Sequence, residues 1–199
     1  MAVLSQKEAV RKVPALTDQD KAALLRLART AIRARLIPGA VIERPRDVTS
    51  ALHEKRGCFV SLHKHNDLRG CIGTIEAVAP LVTGVEENAL NAAFKDPRFS
   101  PLGKAELGKV NIEISVLTRP EILEHVDGED LKKKLKPGVH GVILSKGRHS
   151  ATFLPQVWEQ LPEKEGFLEN LCRKAGMDGK CWQHGDLIVK VYQAEYFSD

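Results

Sequence analysis

The first regular pattern along the chain is helical. Apolar residues recur at three- and four-residue spacing, which places them on one face of a helix: Ala23, Leu24, Leu27, Ala28, Ala31 and Ile32. Residues 17–20 (TDQD) precede this stripe and resemble a capping box, with Asp20 in the place of the usual glutamate. Pro38 and Gly39 follow the stripe, and proline cannot continue a helix. The sequence therefore predicts a first helix between these two signals.

Two strands, a second helix and a third strand are predicted next. Residues 57–63 (GCFVSLH) and 68–75 (LRGCIGTI) flank the turn-forming residues 64–67, which is typical of a β-hairpin. Residues 80–95 carry an apolar stripe with helical spacing and end before a proline. Residues 110–117 (VNIEISVL) alternate between apolar and polar positions, as a half-buried strand does.

The second half of the chain repeats this order of elements. Hairpin, helix and strand follow one another again, with almost no residue identity between the halves, so the repeat is one of architecture. The predicted elements are strands at 139–145 and 149–154, helices at 155–161 and 164–174, and a final long strand at 186–197.

The mixture of hairpins and helices predicts the α+β class with a largely antiparallel sheet. We expect residues 1–16 to be a lead-in segment and residues 17–197 to form a single domain. Its two structural halves would cover about 17–120 and 137–197, with a polar connector and a short helix at 121–137.

Composition narrows the class of protein. The chain has 199 residues, 43% of them hydrophobic, which is enough for a packed core. Its net charge of +4 is too small and too evenly spread to indicate nucleic-acid binding by itself. No apolar run approaches the roughly 18 residues that cross a membrane, and the first residues lack the apolar stretch of a secretory signal. Four cysteines in a chain of this length do not make a disulfide framework, so we expect reduced thiols and a cytoplasmic protein.

Seven segments, in order along the chain, resemble the AMMECR domain family. They are LRGCIGT (68–74), NAAFKDPRFSPL (91–102), EISVLTRPE (113–121), HGVIL (140–144), TFLPQVW (152–158), FLENLCRKAG (167–176) and VYQAEYF (191–197). The resemblance implies a single barrel-like β-sheet built from two hairpin–helix–strand repeats, with the helices packed outside. Prokaryotic members are also called system protein A of the AmmeMemoRadiSam set, which implies a radical-SAM enzyme and a Memo-like protein as partners. The family has no established activity and offers no catalytic assignment, only a signature segment thought to be functional.

Within that signature segment, Cys71 is the candidate nucleophile. It lies between Gly70 and Gly73, where missing side chains would let a ligand or backbone come close, and Thr74 at the end of the segment is a further candidate binding residue. Arg69, two residues away on a strand, would share its face and lower the thiol pKa. A histidine such as His63, His65 or His140 would supply the base.

The alternative makes Cys71 a core residue, and the sequence favours it. Symmetric pairing of the hairpin about residues 64–67 sets Cys71 opposite Val60, on a face shared with Leu62 and Cys58. His63 would then lie on the other face. A slip of one residue in the pairing would reverse this interpretation.

Asp96, Arg98 and His140 complete the candidate binding residues, and each has a structural alternative. Asp96 and Arg98 either offer a carboxylate and a cation to a ligand near the signature strand, or form an Asx turn and cap the carbonyls at the end of the second helix. His140 begins a strand, where a lone histidine is more often a structural hydrogen-bonding group. The arginines of the first helix would form either an anion-binding patch or, as we expect, a solvated face: Arg26, Arg29, Arg33 and Arg35.

No cofactor or metal is expected, because the cysteine spacings match neither a zinc knuckle nor an iron–sulfur motif and no phosphate-binding glycine pattern occurs. Three functions remain open. The leading one is an accessory or binding component that presents a substrate or docks a modifying enzyme. The second is a small cytosolic transferase or hydrolase that uses Cys71. The third is an RNA-binding module, weakly supported because aromatic residues are few.

Overall fold

The computed structural model describes residues 15–46 and 48–199. The expected lead-in, residues 1–16, lies almost wholly outside this range. Helix α1, Asp18–Leu36, begins as predicted: Thr17 Oγ1 accepts from the Asp20 amide at 3.1 Å, and Asp20 Oδ2 accepts from the Thr17 amide at 2.9 Å. Asp20 also accepts from the amide and hydroxyl of Thr49, which ties the helix start to the loop before the first strand.

The remaining helices and strands follow the predicted order, except that the connector also contains a short strand, β4, which was not predicted. The strands are β1 Cys58–Lys64, β2 Asp67–Thr74, β3 Val110–Leu117, β4 Glu121–Ile122, β5 Gly141–Lys146, β6 His149–Phe153, β7 Ile188–Tyr192 and β8 Ala194–Ser198. The helices after α1 are α2 Leu81–Phe94, α3 Gly128–Lys134, α4 Val157–Gln160 and α5 Lys164–Lys174. Helix α4 is a single turn, shorter than predicted.

The α+β class and the largely antiparallel pairing are confirmed, but the strands do not close into one barrel-like sheet. They form two four-stranded antiparallel sheets, in the order β2-β1-β3-β8 and β4-β7-β5-β6. The predicted single strand at 186–197 is also wrong, because this stretch forms two strands, β7 and β8, that belong to different sheets. The chain passes from the second sheet to the first at Gln193. The Gln193 amide and carbonyl bond to Thr118, which lies between β3 and β4, where the chain passes from the first sheet to the second.

The architectural repeat is visible in the strand orders. In the first sheet β1 lies between its hairpin partner β2 and β3, and in the second β5 lies between β6 and β7. The fourth strand of each sheet comes from outside its own half: β8, from the second half, pairs with β3, and β4, which directly follows the first half at the start of the connector, pairs with β7. The two halves therefore exchange an edge strand.

Each half has its own apolar core. Helices α1 and α2 cover one face of the first sheet, around Val60, Leu62 and Ile114. The second core surrounds Trp158, Phe167 and Leu171. Within the described part of the chain no helix is long and apolar enough to cross a membrane. The cytoplasmic location and the boundaries of a single domain stay predictions.

The second core contains a disulfide, which corrects the expectation of reduced cysteines. Cys172, buried on α5, is bonded to Cys181 in the short 3-10 turn before β7. The spacing of the two cysteines did not indicate the bond, because a separation of nine residues does not show whether the fold brings the two sulfurs together. Cys58 and Cys71 are free thiols.

Candidate functional site

The register of the hairpin decides which way Cys71 faces. Next to the turn the strands pair as the symmetric prediction has it, Lys64 with Asp67 and His63 with Leu68. Arg69 is then bulged out of the ladder, so the register shifts by one residue and Ser61, not Val60, lies opposite Cys71.

Cys71 therefore lies on the opposite face from Val60, Leu62 and Cys58, and its placement in the core is wrong. It is partly exposed, whereas Cys58 is completely buried. Ser61 Oγ lies 3.1 Å from the Cys71 sulfur and donates to it. The shifted register thus gives this thiol a polar neighbour.

Asp96 and Arg98 hold the backbone of Cys71. Strand β2 is an edge strand, and the outward-facing amide of Cys71 donates to Asp96 Oδ2 at 2.9 Å while its carbonyl accepts from Arg98 at 3.3 Å. Asp96 also accepts from the Arg98 amide, which is the predicted Asx turn. Arg98 bonds to Asp96 and Cys71, so the alternative in which it caps the carbonyls at the end of α2 is wrong. The two side chains satisfy and protect the exposed sheet edge.

The charges of Asp96 and Arg98 interact strongly at this edge. Hydrogen bonds from Arg98 and from the Cys71 amide hold the pKa of Asp96 well below its usual range, although its burial acts in the other direction. The Arg98 guanidinium remains about half exposed. It presents a positive charge to solvent beside Cys71.

The two glycines of the signature serve packing. A Cβ on Gly70 would meet the carbonyl oxygen of Ala92 in α2 at 2.3 Å, so the helix approaches this strand closely. A Cβ on Gly73 would meet the ring of Phe59 at 2.3 Å. Close approach is the reason for both glycines, as predicted, but the approaching groups belong to the protein itself. Thr74 is exposed at the end of β2.

Arg69 does not act on the thiol. Its guanidinium forms two hydrogen bonds with Glu106, at 3.0 and 3.1 Å, and Lys64 reaches the same carboxylate at 2.9 Å. These bonds lower the pKa of Glu106 to about 2. The predicted depression of the Cys71 pKa is wrong too: burial raises it, and Ser61 and Arg98 offset that effect only in part.

The histidines separate into two groups. His140 lies in the second half, where its Nδ1 accepts from the Lys136 amide at 3.3 Å and its carbonyl accepts from Trp158 at 2.7 Å. These contacts support its structural interpretation, and burial lowers its pKa. His63, by contrast, alternates with Ser61 along β1 and shares the Cys71 face, contrary to the symmetric register.

The side of the first sheet turned away from α1 and α2 carries polar side chains together with the rings of Phe59 and Tyr196, and we call it the open face. Pairing sets Cys71, Ser61 and Glu113 in one row across β2, β1 and β3, with Ser115 in the next row. Gln156, from the loop before α4, donates to the Ser115 hydroxyl at 3.3 Å. A cavity of about 200 Å³ lies at the His63 end of this face and is also lined by Asn111 and Glu113.

Two polar atoms on this face are buried without a partner in the described structure, His63 Nε2 and Gln156 Oε1. They lie on either side of the row that contains Cys71. Sequence reasoning missed Ser61, Glu113, Ser115 and Gln156. The alternation in VNIEISVL indicated a polar face on β3, but which strands lie beside it depends on pairing between distant segments.

The described residues contain no group of three or more His, Cys, Asp or Glu side chains that would hold a metal ion. What the arrangement offers is a partly buried neutral thiol, a hydroxyl, a carboxylate, an amide oxygen and an imidazole nitrogen on one sheet face. These are groups that bind a small polar molecule by hydrogen bonds.

The fold and site define an α+β protein with two strand-exchanged sheets and a polar site beside an edge-strand cysteine. A sequence profile of the AMMECR1 family matches residues 25–197. The chain belongs to the AMMECR1 family.

Relatives in archaea cover nearly the whole chain. A protein of Thermofilum pendens is 40% identical over 193 residues, which is 92% of this chain and 91% of its own. A protein of Thermococcus onnurineus is 41% identical over 186 residues and 88% of each chain. The crystal structure of the uncharacterized protein PH0010 from Pyrococcus horikoshii superposes with a TM-score of 0.79, at 40% identity, covering 88% of this chain and 89% of that one. The names of these proteins state no activity, so the comparisons establish the family and not a reaction.

Proposed function

We propose that the protein is a binding component of a modification system, which holds a small polar ligand or substrate group on the open face and acts with radical-SAM and Memo-like partners. The observation that carries the ligand site is the pair of unpartnered buried atoms, His63 Nε2 and Gln156 Oε1. Buried polar atoms nearly always have partners, and a ligand would provide them here. The partner identities rest on the family resemblance.

The state of Cys71 favours binding over covalent chemistry. A cysteine nucleophile needs a lowered pKa or a base within hydrogen-bond reach. The pKa of Cys71 is raised by burial, and the hydrogen bond that its sulfur makes is donated by Ser61, which is not a base. The thiol is therefore neutral near pH 7 and serves as a weak hydrogen-bonding group in the site.

Copurification tests the proposal. A tagged full-length chain is isolated from its source cell, and the captured proteins are identified by mass spectrometry. We expect a radical-SAM or Memo-like protein, and we expect its recovery to fall for the His63→Ala/Gln156→Ala variant. His184→Ala, an exposed histidine of the second half, is the matched control. A chain that remains alone, or a variant that captures as much as the control, would contradict the proposal.

A cysteine enzyme is the second candidate. It is favoured by the partial exposure of Cys71, by the donated bond from Ser61, and by the Arg98 charge, which acts against the effect of burial on the thiol pKa. Such an enzyme would use Cys71 for transferase or hydrolase chemistry on a compact polar substrate. Cys71→Ser would then abolish turnover without unfolding the protein, and unchanged turnover would remove Cys71 from the mechanism.

A further inference from the structure

A groove runs between α1 and the extended segment 41–46, outside the open face. Glu43 fixes the segment against the helix, since its amide donates to Thr30 Oγ1 at 3.1 Å. Arg44 anchors the same segment to α2 through Glu86 at 3.0 Å. Three adjoining cavities of about 440, 240 and 510 Å³ follow this line, and Glu43 lines all three.

Basic side chains predominate in the groove. Among the described residues, one carboxylate, that of Glu43, lines it beside five arginines: Arg26, Arg29, Arg33, Arg44 and Arg46. Arg29 has a structural role, because it binds Asp199 and the carbonyls of Leu107 and Val110. Arg26, Arg33 and Arg46 are exposed, and no hydrogen bond or ion pair joins their side chains to another residue in the described part of the chain. The expected solvated face of α1 is therefore one wall of a concave basic surface.

Apolar side chains lie among these charges. Val41 is 77% exposed, and Ile37 and Leu107 line the largest of the three cavities. None of the described residues that line the groove is aromatic, although single-stranded nucleic acids bind mainly by stacking their bases on such residues. A partner with separate carboxylates and aliphatic side chains fits this surface better than a polyphosphate does.

We propose that this arginine groove binds an acidic, extended segment of a partner protein. Arg26 and Arg33 lie about 10 Å apart along α1, seven residues at about 1.5 Å each. Side chains on one side of an extended peptide repeat about every 6.6 Å, so acidic residues two to four positions apart reach both arginines. Guanidinium groups bind carboxylates in a bidentate manner, and Val41 and Leu107 contact the aliphatic residues between them.

Fluorescence polarisation with the full-length chain tests this proposal. The probe is a labelled peptide of about 12 residues that combines Glu and Asp with Leu and Val, and its control carries Gln and Asn in place of the acids. We expect the acidic peptide to bind more weakly as salt rises. Reversal of two exposed charges, Arg26→Glu/Arg33→Glu, should weaken binding by about tenfold or more. Arg35→Glu, an exposed arginine of α1 outside the cavities, should change it by less than about twofold.

Three outcomes would overturn the proposal. The acidic peptide binds no better than its amide control, the double reversal behaves like Arg35→Glu, or a labelled oligouridylate of similar length binds better than the peptide and responds to the same reversals. Circular dichroism of each variant shows whether α1 remains folded. The proposal rests on the proposed function only in that a binding component needs a surface for its partner. Because none of these variants touches the open face, the two proposals can fail separately.

Discussion

The position of Arg69 in strand β2 determines the surroundings of Cys71, although Arg69 forms no hydrogen bond with the Cys71 sulfur. The bulge at Arg69 moves Cys71 from the core face to the open face, where Ser61 donates to it. The bulged arginine is held by Glu106, and the next residue, Gly70, is pressed against α2. The polarity of the site therefore depends on packing at the back of the strand.

Alkylation of Cys71 should respond to Ser61. Because burial raises the thiol pKa and Ser61 lowers it, Ser61→Ala should move the pH profile of the alkylation rate to higher pH. Mass spectrometry after timed alkylation reads each cysteine separately. Cys58 is an internal reference, since burial raises its pKa to about 11 and it should stay unreactive until the protein unfolds. Ser150→Ala, an exposed serine of β6, should leave the profile unchanged. A Cys71 that titrates below about 8.5 would instead favour the enzyme candidate.

Gly70→Ala should destabilise the protein. The added methyl group would lie 2.3 Å from the backbone oxygen of Ala92, and backbone cannot move aside as a flexible side chain can. We expect a loss of about 1–3 kcal/mol in the free energy of unfolding, measured by chemical denaturation. Gly108→Ala is the control, because a methyl group there would have nothing within 4 Å of it. Equal effects at the two positions would show that α2 yields to the methyl group.

At the scale of elements, the edge strand β2 is protected by side chains rather than by another strand. Asp96 and Arg98 bind the amide and carbonyl of Cys71, so this part of the edge is closed to further pairing. The other free edge of the first sheet is β8. Because the carboxylate of Asp96 covers this edge, we expect its protonation at low pH to weaken the protection of β2.

Asp96 should make stability depend on pH in the acid range. Its pKa is lowered on folding, so its contribution is fully present above the unfolded value of about 3.9 and is lost as the pH falls toward the lower folded value. Asp96→Asn should cost about 1–3 kcal/mol near neutral pH and reduce the loss of stability below about pH 4. Denaturation at several pH values measures both effects. Asp67→Asn, at an exposed position of β2, should do neither. If Asp96→Asn left the acid slope unchanged, other carboxylates would control it.

Local patterns in the sequence predicted the elements but not their pairing. The capping box at Thr17 and Asp20 is encoded within a few residues and is confirmed. The alternation in β3 is confirmed only from Val110 to Ile114, because the residues from there to Leu117 are all buried. The shifted register of the hairpin is not encoded locally. It depends on contacts of Arg69 with Glu106 and of Gly70 with α2, which lie far away in sequence. The same applies to Gln156, which reaches Ser115 from the other half. The open face is assembled from such distant segments, so sequence reasoning found its cysteine and its histidine but not the hydroxyl, carboxylate and amide groups beside them.

At the scale of the whole molecule, each half has a separate core but not a separate sheet. Strand β8 completes the first sheet and β4 completes the second. The disulfide between Cys172 and Cys181 lies wholly in the second half. Stability in one half is therefore transmitted to the other through the exchanged strands.

The disulfide should stabilise the second half. It closes a loop of about ten residues, and the loss of chain entropy in the unfolded state predicts roughly 2–3 kcal/mol. Reductant should lower the denaturation midpoint of the wild-type protein by the corresponding amount. The Cys172→Ala/Cys181→Ala variant should start from the lower midpoint and be insensitive to reductant. A wild-type midpoint that reductant does not move would show that the bond contributes no stability.

The two cores should unfold in one transition. Both tryptophans, Trp158 and Trp182, belong to the second core, whereas Cys58 is buried in the first. Tryptophan fluorescence and Cys58 alkylation therefore report on different halves. We expect their denaturation midpoints to coincide, because neither sheet keeps its fourth strand when the other half unfolds. Two separate midpoints would show that the exchanged strands do not couple the halves.

The position of β8 along the chain also affects how the protein folds during its synthesis. Every other strand and helix of the first sheet is translated before the second half, but β8 follows all of it. Until then the outer side of β3 has no strand beside it, and an unpaired edge of that kind invites association with other chains. We therefore expect the nascent first half to depend on a chaperone, or on rapid completion of translation, to remain monomeric.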